Sequence, residues 1–120
     1  MSQINAAFIG LGTMGYPMAG HLAEAGLSVT VYNRTASRAR QWARDYRGRT
    51  ADTPAEAAAG AAMVFVCVGN DDDLRQVTLG PDGVLKTLSE RALLVDHTTA
   101  SAAVARELDA ACRDRQADFI

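Results

Sequence analysis

Gly10-Leu11-Gly12-Thr13-Met14-Gly15 follows the apolar run Ala6-Ala7-Phe8-Ile9 and opens a helical pattern. It reads as a G-x-G-x-x-G turn between a buried strand and a helix, the arrangement that lays a pyrophosphate against a helix N-terminus. Each glycine has its own task. Gly10 lets the chain turn sharply off the strand, Gly12 removes a Cβ so that phosphate can approach backbone, and Gly15 lets the helix pack close to the sheet. The strand before and the helix after supply the context that separates this motif from an ordinary glycine-rich turn.

Working outward, Met14 to Ala25 carries Met18, Leu22 and Ala25 at helical spacing, with Pro17 in the first turn and Gly26 placed to cap the end. Ser28-Val29-Thr30-Val31-Tyr32 alternates as a second strand and ends at Asn33-Arg34-Thr35. Strand, helix and strand within about thirty residues make one βαβ unit. Thr35 or Ser37 is placed to cap a second helix through Trp42 and Tyr46, and Gly48 to Ala51 is a short third strand. Thr53-Pro54-Ala55-Glu56 is a capping box for a short helix to about Ala59. Met63 to Val68 is continuously apolar, as a central parallel strand covered on both faces should be. A helix from Asp71 stops at Gly80-Pro81, a helical piece spans Val84 to Leu88, and Ala92 to Asp96 forms the fifth strand. A last helix from about Ser101 to Gln116 leads to Phe119-Ile120, the start of a sixth strand that reads as cut short.

This alternation predicts an α/β fold, a Rossmann-type doubly wound parallel sheet occupying residues 1–120 as one domain. Ligands in such sheets sit at the carboxyl ends of the strands, which gathers residues 10–15, 33–35, 68–70 and 96–99 onto one rim. The length suits a single core, and a formal net charge of −2 gives no general attraction to nucleic acid or anionic membrane. No apolar run is long enough to cross a bilayer, and Met1-Ser2-Gln3 leads directly into a strand, so the expected setting is the cytoplasm. Cys67 and Cys112 read as small buried apolar residues.

The end of the second strand discriminates between cofactors. An NAD site places an acidic residue there to accept from the ribose hydroxyls, and here the position is Asn33. Asn33, Arg34 and the hydroxyls of Thr35 and Ser37 offer an amide, a guanidinium and two donors to a 2′-phosphate, beside the positive end of a helix. The expected cofactor is therefore NADP rather than NAD.

The stretch from Gly10 to Ala19 resembles the signature of the β-hydroxyacid dehydrogenase family, the group that includes 3-hydroxyisobutyrate dehydrogenase. Asn33-Arg34-Thr35 looks like its NADP-using members, such as glyoxylate and succinic semialdehyde reductases. Asp96-His97-Thr98-Thr99-Ala100-Ser101 is similar to the family's Asp-x-Ser-Thr element. The resemblance implies that Gly10, Leu11, Gly12, Thr13, Met14 and Gly15 cradle the pyrophosphate, that Val68 and Gly69 flank the adenosine, that Thr99 touches the nicotinamide half, and that Thr98 reaches the substrate. The sequence departs from the pattern at Gly69 and Ala102, where proline is common, and at Thr98, where serine is usual.

The family's general acid–base lysine lies on a helix beyond the nucleotide domain. The single lysine here, Lys86, falls away from the rim, so no catalytic residue is assigned within residues 1–120. The resemblance thus implies the cofactor half of an oxidoreductase that moves hydride between nicotinamide and a small carboxylate-bearing hydroxy acid or its carbonyl counterpart. A longer protein would complete the enzyme and assemble as a homo-oligomer, whereas residues 1–120 alone would be inactive. An imine reductase of the same superfamily and a non-catalytic NADP-binding module are the rival readings. Asp71-Asp72-Asp73 reads as a dipole-favoured helix start rather than a metal site, His97 as a non-catalytic rim residue, and His21 as an ordinary helix-face residue.

Overall fold

The computed structural model describes residues 4–120. Its elements run β1 (Asn5–Ile9), α1 (Gly15–Glu24), β2 (Ser28–Tyr32), α2 (Ala36–Tyr46), β3 (Arg49–Thr50), α3 (Pro54–Ala58), β4 (Met63–Val66), α4 (Asp71–Leu79), β5 (Leu93–Asp96), α5 (Ala102–Asp114) and β6 (Asp118–Phe119), with a 3₁₀ turn at Val84–Lys86. The sheet order is β3-β2-β1-β4-β5-β6 and every pairing is parallel. Strand order reverses between β1 and β4, so the switch point lies at their carboxyl ends. There Ile9 is level with Tyr32 on one side and Val66 on the other, and Val66 with Asp96. The sixth strand is present as two residues paired to β5.

Two apolar layers hold the sheet. Alternate residues of β1 face opposite ways: Phe8 packs with Val29, Val31 and Trp42 beneath α1 and α2, whereas Ala7 and Ile9 join Val64, Val66, Leu94 and Leu108 beneath α3, α4 and α5. Trp42 is fully buried and its Nε1–H donates to the Tyr16 carbonyl at 3.2 Å, so the largest side chain of the layer carries no unsatisfied donor.

The structure departs from the sequence reading along β4. Val64 and Val66 are buried, but Met63, Phe65 and Cys67 are only partly so, because α1 and α2 pack chiefly over β1, β2 and β3 and meet β4 only at the edge of their layer, where Phe65 and Cys67 touch it. The strand also ends two residues early. Cys67 N–H still bonds the Ile9 carbonyl at 2.9 Å, but Val68 N–H leaves the sheet for the Thr98 hydroxyl at 3.0 Å. Cys67 is therefore a half-buried rim residue, while Cys112 is fully buried as expected.

Helix ends follow local chemistry. The Asn70 side chain accepts from Asp73 N–H and that of Ser101 from Val104 N–H. Thr53 accepts from Glu56 N–H at 3.1 Å, and Glu56 returns to Asp52 N–H at 3.4 Å, one residue before the usual capping-box donor. Thr35 occupies the N-cap of α2 without a side-chain cap bond.

Candidate functional site at the carboxyl ends of the strands

The glycine turn explains its own sequence. Gly10 has a φ of +101°, and a Cβ there would strike the Cys67 carbonyl of the neighbouring strand turn. A Cβ on Gly15 would strike the Gly10 carbonyl and crowd Phe8. Gly12 differs: nothing lies within 4 Å of the position its Cβ would take. Its glycine is not required by the surrounding protein, and the bare backbone faces open space at the start of α1. None of the N–H groups of Gly12, Thr13 and Met14 donates to an acceptor among the described residues. Such an array suits a bound pyrophosphate.

The neighbouring Leu11 has another role. It is buried, its N–H donates to Asn33 Oδ1 at 2.9 Å, and its carbonyl accepts from Arg38 Nε at 2.8 Å. Both backbone groups are engaged, so Leu11 anchors the turn rather than offering its N–H to phosphate. Asn33 is a brace as well, since Nδ2 donates to the Thr35 carbonyl at 3.1 Å. Of the donors assigned to it from sequence, one amide hydrogen remains. Arg38 lies 4.2 Å over the Tyr16 ring, and the Tyr16 hydroxyl donates to Asp45. Burial first, and then that carboxylate, push the Tyr16 phenol up to about 12. Trp42, Tyr16 and Arg38 thereby tie α2 to the turn.

A cleft of about 520 Å³ opens along this rim, between the β1 turn, the end of β2 and the start of α4. It gathers Gly10, Leu11, Gly12, Thr13, Met14, Gly15, Asn33, Arg34, Thr35, Val68 and Gly69. Thr98 and Thr99 stand outside it. Thr98 accepts from Val68 N–H through its hydroxyl and donates its own N–H to Asp96 Oδ1 at 2.8 Å, so it fastens the β5 loop to the β4 loop. Its hydroxyl proton meets no acceptor among the described residues. Thr99 is exposed at the far end of the same loop.

Besides Ile9, Tyr32 and Cys67 at the strand ends, three cleft residues on α4 escaped the sequence reading: Asp73, Gln76 and Val77. They share one face of α4 at i, i+3 and i+4, a spacing that could have identified them. The acidic run does not converge. The Ser101 side chain first, and then its N–H, which donates to Asp71 at 2.9 Å, lower the Asp71 pKa; Asp72 lies 3.7 Å from Arg75; and Asp73 meets Arg34 at 2.6 Å. The half-buried Cys67 thiol has its pKa raised by burial and then by Asp96, so it adds no charge to the cleft at neutral pH. A second groove of about 470 Å³ adjoins the β2 end and is lined by Thr35, Ser37, Arg38, Gln41 and Arg44. Lys86 is in the 3₁₀ turn, 3.9 Å from Asp82. His21 pairs at 3.8 Å with Glu24 on an exposed face of α1.

The arrangement can bind and orient a dinucleotide. A family model described as the NAD binding domain of 6-phosphogluconate dehydrogenase matches residues 5–120. The chain belongs to this family of NAD-binding domains. An oxidoreductase of Shewanella frigidimarina, described as uncharacterized, is 62% identical over 104 residues, covering 87% of this chain and 36% of that protein. The 3-hydroxyisobutyrate dehydrogenase of Mycobacterium tuberculosis, solved with L-serine, superposes with a TM-score of 0.86 at 26% identity, over 98% of this chain and 39% of that one. An imine reductase of Myxococcus stipitatus, solved with NADP+, gives 0.83 at 29% identity, over 96% and 39%. The domain thus resembles the cofactor-binding part of nicotinamide-dependent oxidoreductases and spans about two fifths of the length of these relatives.

Proposed function

We propose that this domain binds NADPH in preference to NADH and serves an oxidoreductase acting on a small hydroxy acid or its carbonyl counterpart. The observation that carries the cofactor choice is the β2 end, where Asn33 replaces a carboxylate and Arg34 and Thr35 line the cleft. A 2′-phosphate would meet a guanidinium and a hydroxyl there instead of an anion. The N–H groups of Gly12, Thr13 and Met14 would hold the pyrophosphate at the start of α1, and Val68 and Gly69 would flank the adenosine. Thr99 would lie towards the nicotinamide, and the Thr98 hydroxyl proton is free to meet a substrate oxygen. Bound nicotinamide supplies or accepts the hydride. The proton for the carbonyl oxygen is assigned to the lysine that the resemblance implies in a longer protein, since the single lysine of this sequence, Lys86, lies in the 3₁₀ turn beside Asp82 and does not line the cleft. L-Serine in the mycobacterial relative supports a small carboxylate-bearing substrate. The proposed setting is the cytoplasm, with assembly as a homo-oligomer; among the described residues no helix is long and apolar enough to cross a membrane.

The test is calorimetric titration of NADPH and NADH. The unmodified protein is expected to bind NADPH more tightly, and Arg34→Glu to weaken NADPH by about tenfold or more while changing NADH by less than about threefold, as loss of a charge-assisted contact requires. Equal losses for both would remove the NADP preference. Imine reduction is the second reading, favoured by the NADP+-bound imine reductase. Turnover of cyclic imines, with none of hydroxy acids or their oxidised forms, would select it.

A further inference from the structure

Among the described residues, Arg34 and Asp73 are the only ionised side chains lining the main cleft, and they are bonded to each other. Arg34 reaches from the end of β2 across the cleft mouth to the first turn of α4, where its guanidinium donates to Asp73 Oδ1 at 2.6 Å. The backbone that carries the carboxylate is anchored: Asp73 sits in the first turn of α4 and its own N–H donates to Asn70 Oδ1 at 2.8 Å. The guanidinium is the more exposed partner, 76% against 31% for Asp73. The cleft therefore offers no net positive charge at its ribose end, although it contains the arginine suited to a phosphate.

We infer that Asp73 is a specificity-determining residue, holding Arg34 in a carboxylate pair that a 2′-phosphate must break and so narrowing the preference for NADPH over NADH. The inference rests on the dinucleotide reading given above. NADH has no 2′-phosphate to recruit Arg34 and leaves the pair intact. NADPH must draw the guanidinium off Asp73 and then place a dianion near the carboxylate left behind. An exposed pair of this kind is weak, so the effect is a modest adjustment of selectivity and not a block.

Asp73→Asn keeps the shape of the side chain and removes its charge. By titration of both dinucleotides at fixed ionic strength, it is expected to tighten NADPH by about three- to tenfold and to change NADH by less than about twofold. In an Arg34→Ala background the same change should alter NADPH by less than about twofold, because the carboxylate acts through the arginine. Thermal unfolding of each variant separates a damaged α4 from an altered cleft. An unchanged NADPH-to-NADH ratio in folded Asp73→Asn, a weaker NADPH complex, or a gain that persists without Arg34 would overturn the inference alone. Failure of the unmodified protein to bind either dinucleotide would overturn the cofactor reading and this inference with it.

Discussion

Gly12 and Gly15 stand three residues apart, and they are needed for opposite reasons. The space beside Gly15 is filled by the Gly10 carbonyl, while the space beside Gly12 is empty. Gly15→Ala should therefore lower stability by about 1–3 kcal/mol, the usual cost of overpacking, in urea unfolding. Gly12→Ala should leave the urea midpoint nearly unchanged yet weaken dinucleotide binding by about tenfold, since the methyl occupies the approach to the N–H array. Matching losses of stability at both positions would contradict this division. The packing roles of Gly10 and Gly15 were readable because the motif's spacing encodes them. The engagement of Leu11 was not, because its partners Asn33 and Arg38 lie 22 and 27 residues away and no local pattern announces them.

The β1 and β2 ends act as one unit through Asn33. Its acceptor oxygen holds Leu11 N–H and its amide holds the Thr35 carbonyl. Asn33→Asp keeps the first bond and loses the second, so a destabilisation of about 1 kcal/mol is expected in thermal unfolding. The new carboxylate faces the ribose position and should shift the NADPH-to-NADH affinity ratio towards NADH by about tenfold or more in paired titrations. A ratio that stays put would separate Asn33 from cofactor choice. Elements with a strong period were readable in the sequence: β2 matches its alternation, and α5 its Val104, Leu108 and Cys112 stripe. The end of β4 was not, because the contact that pulls Val68 off the sheet comes from Thr98. Continuous apolarity also suggested full cover on both faces of β4, whereas α1 and α2 pack chiefly over β1, β2 and β3 and meet β4 only at the edge of their layer. The cleft wall on α4 was readable in principle from the spacing of Asp73, Gln76 and Val77, but an acidic helix start conceals a functional carboxylate among ordinary ones.

The molecule as a whole is expected to lose stability in alkali. Burial, with the Asp109 and Asp118 carboxylates nearby, pushes the Cys112 thiol up to about 11 from an ordinary 9.0. Below pH 9 folded and unfolded chains both hold that proton. Between about 9 and 11 the unfolded chain releases it and the folded one does not, so the unfolded state gains and stability falls as pH rises, by up to ~2–3 kcal/mol. Cys67 is shifted in the same direction, and Tyr16, held near 12, extends the decline upward from pH 10. Urea midpoints at pH 7.5 and 10.5 should differ in that sense, and Cys112→Ala should flatten the difference while lowering the plateau. Identical midpoints for the unmodified protein would show that these groups do not titrate as the fold implies.

The β1–β4 ladder joins the two halves of the sheet, with Ile9 against Val66 at the switch point. On a ribosome these partners emerge far apart in time. Nearly sixty residues separate them, which at about 5–20 residues per second leaves one flank of β1 without a neighbour for on the order of 3–11 s. The strand left waiting is Ala6-Ala7-Phe8-Ile9, wholly buried in the finished sheet. Its open edge is an adhesive surface during synthesis, so a nascent chain halted before Met63 is the species a chaperone would have to hold.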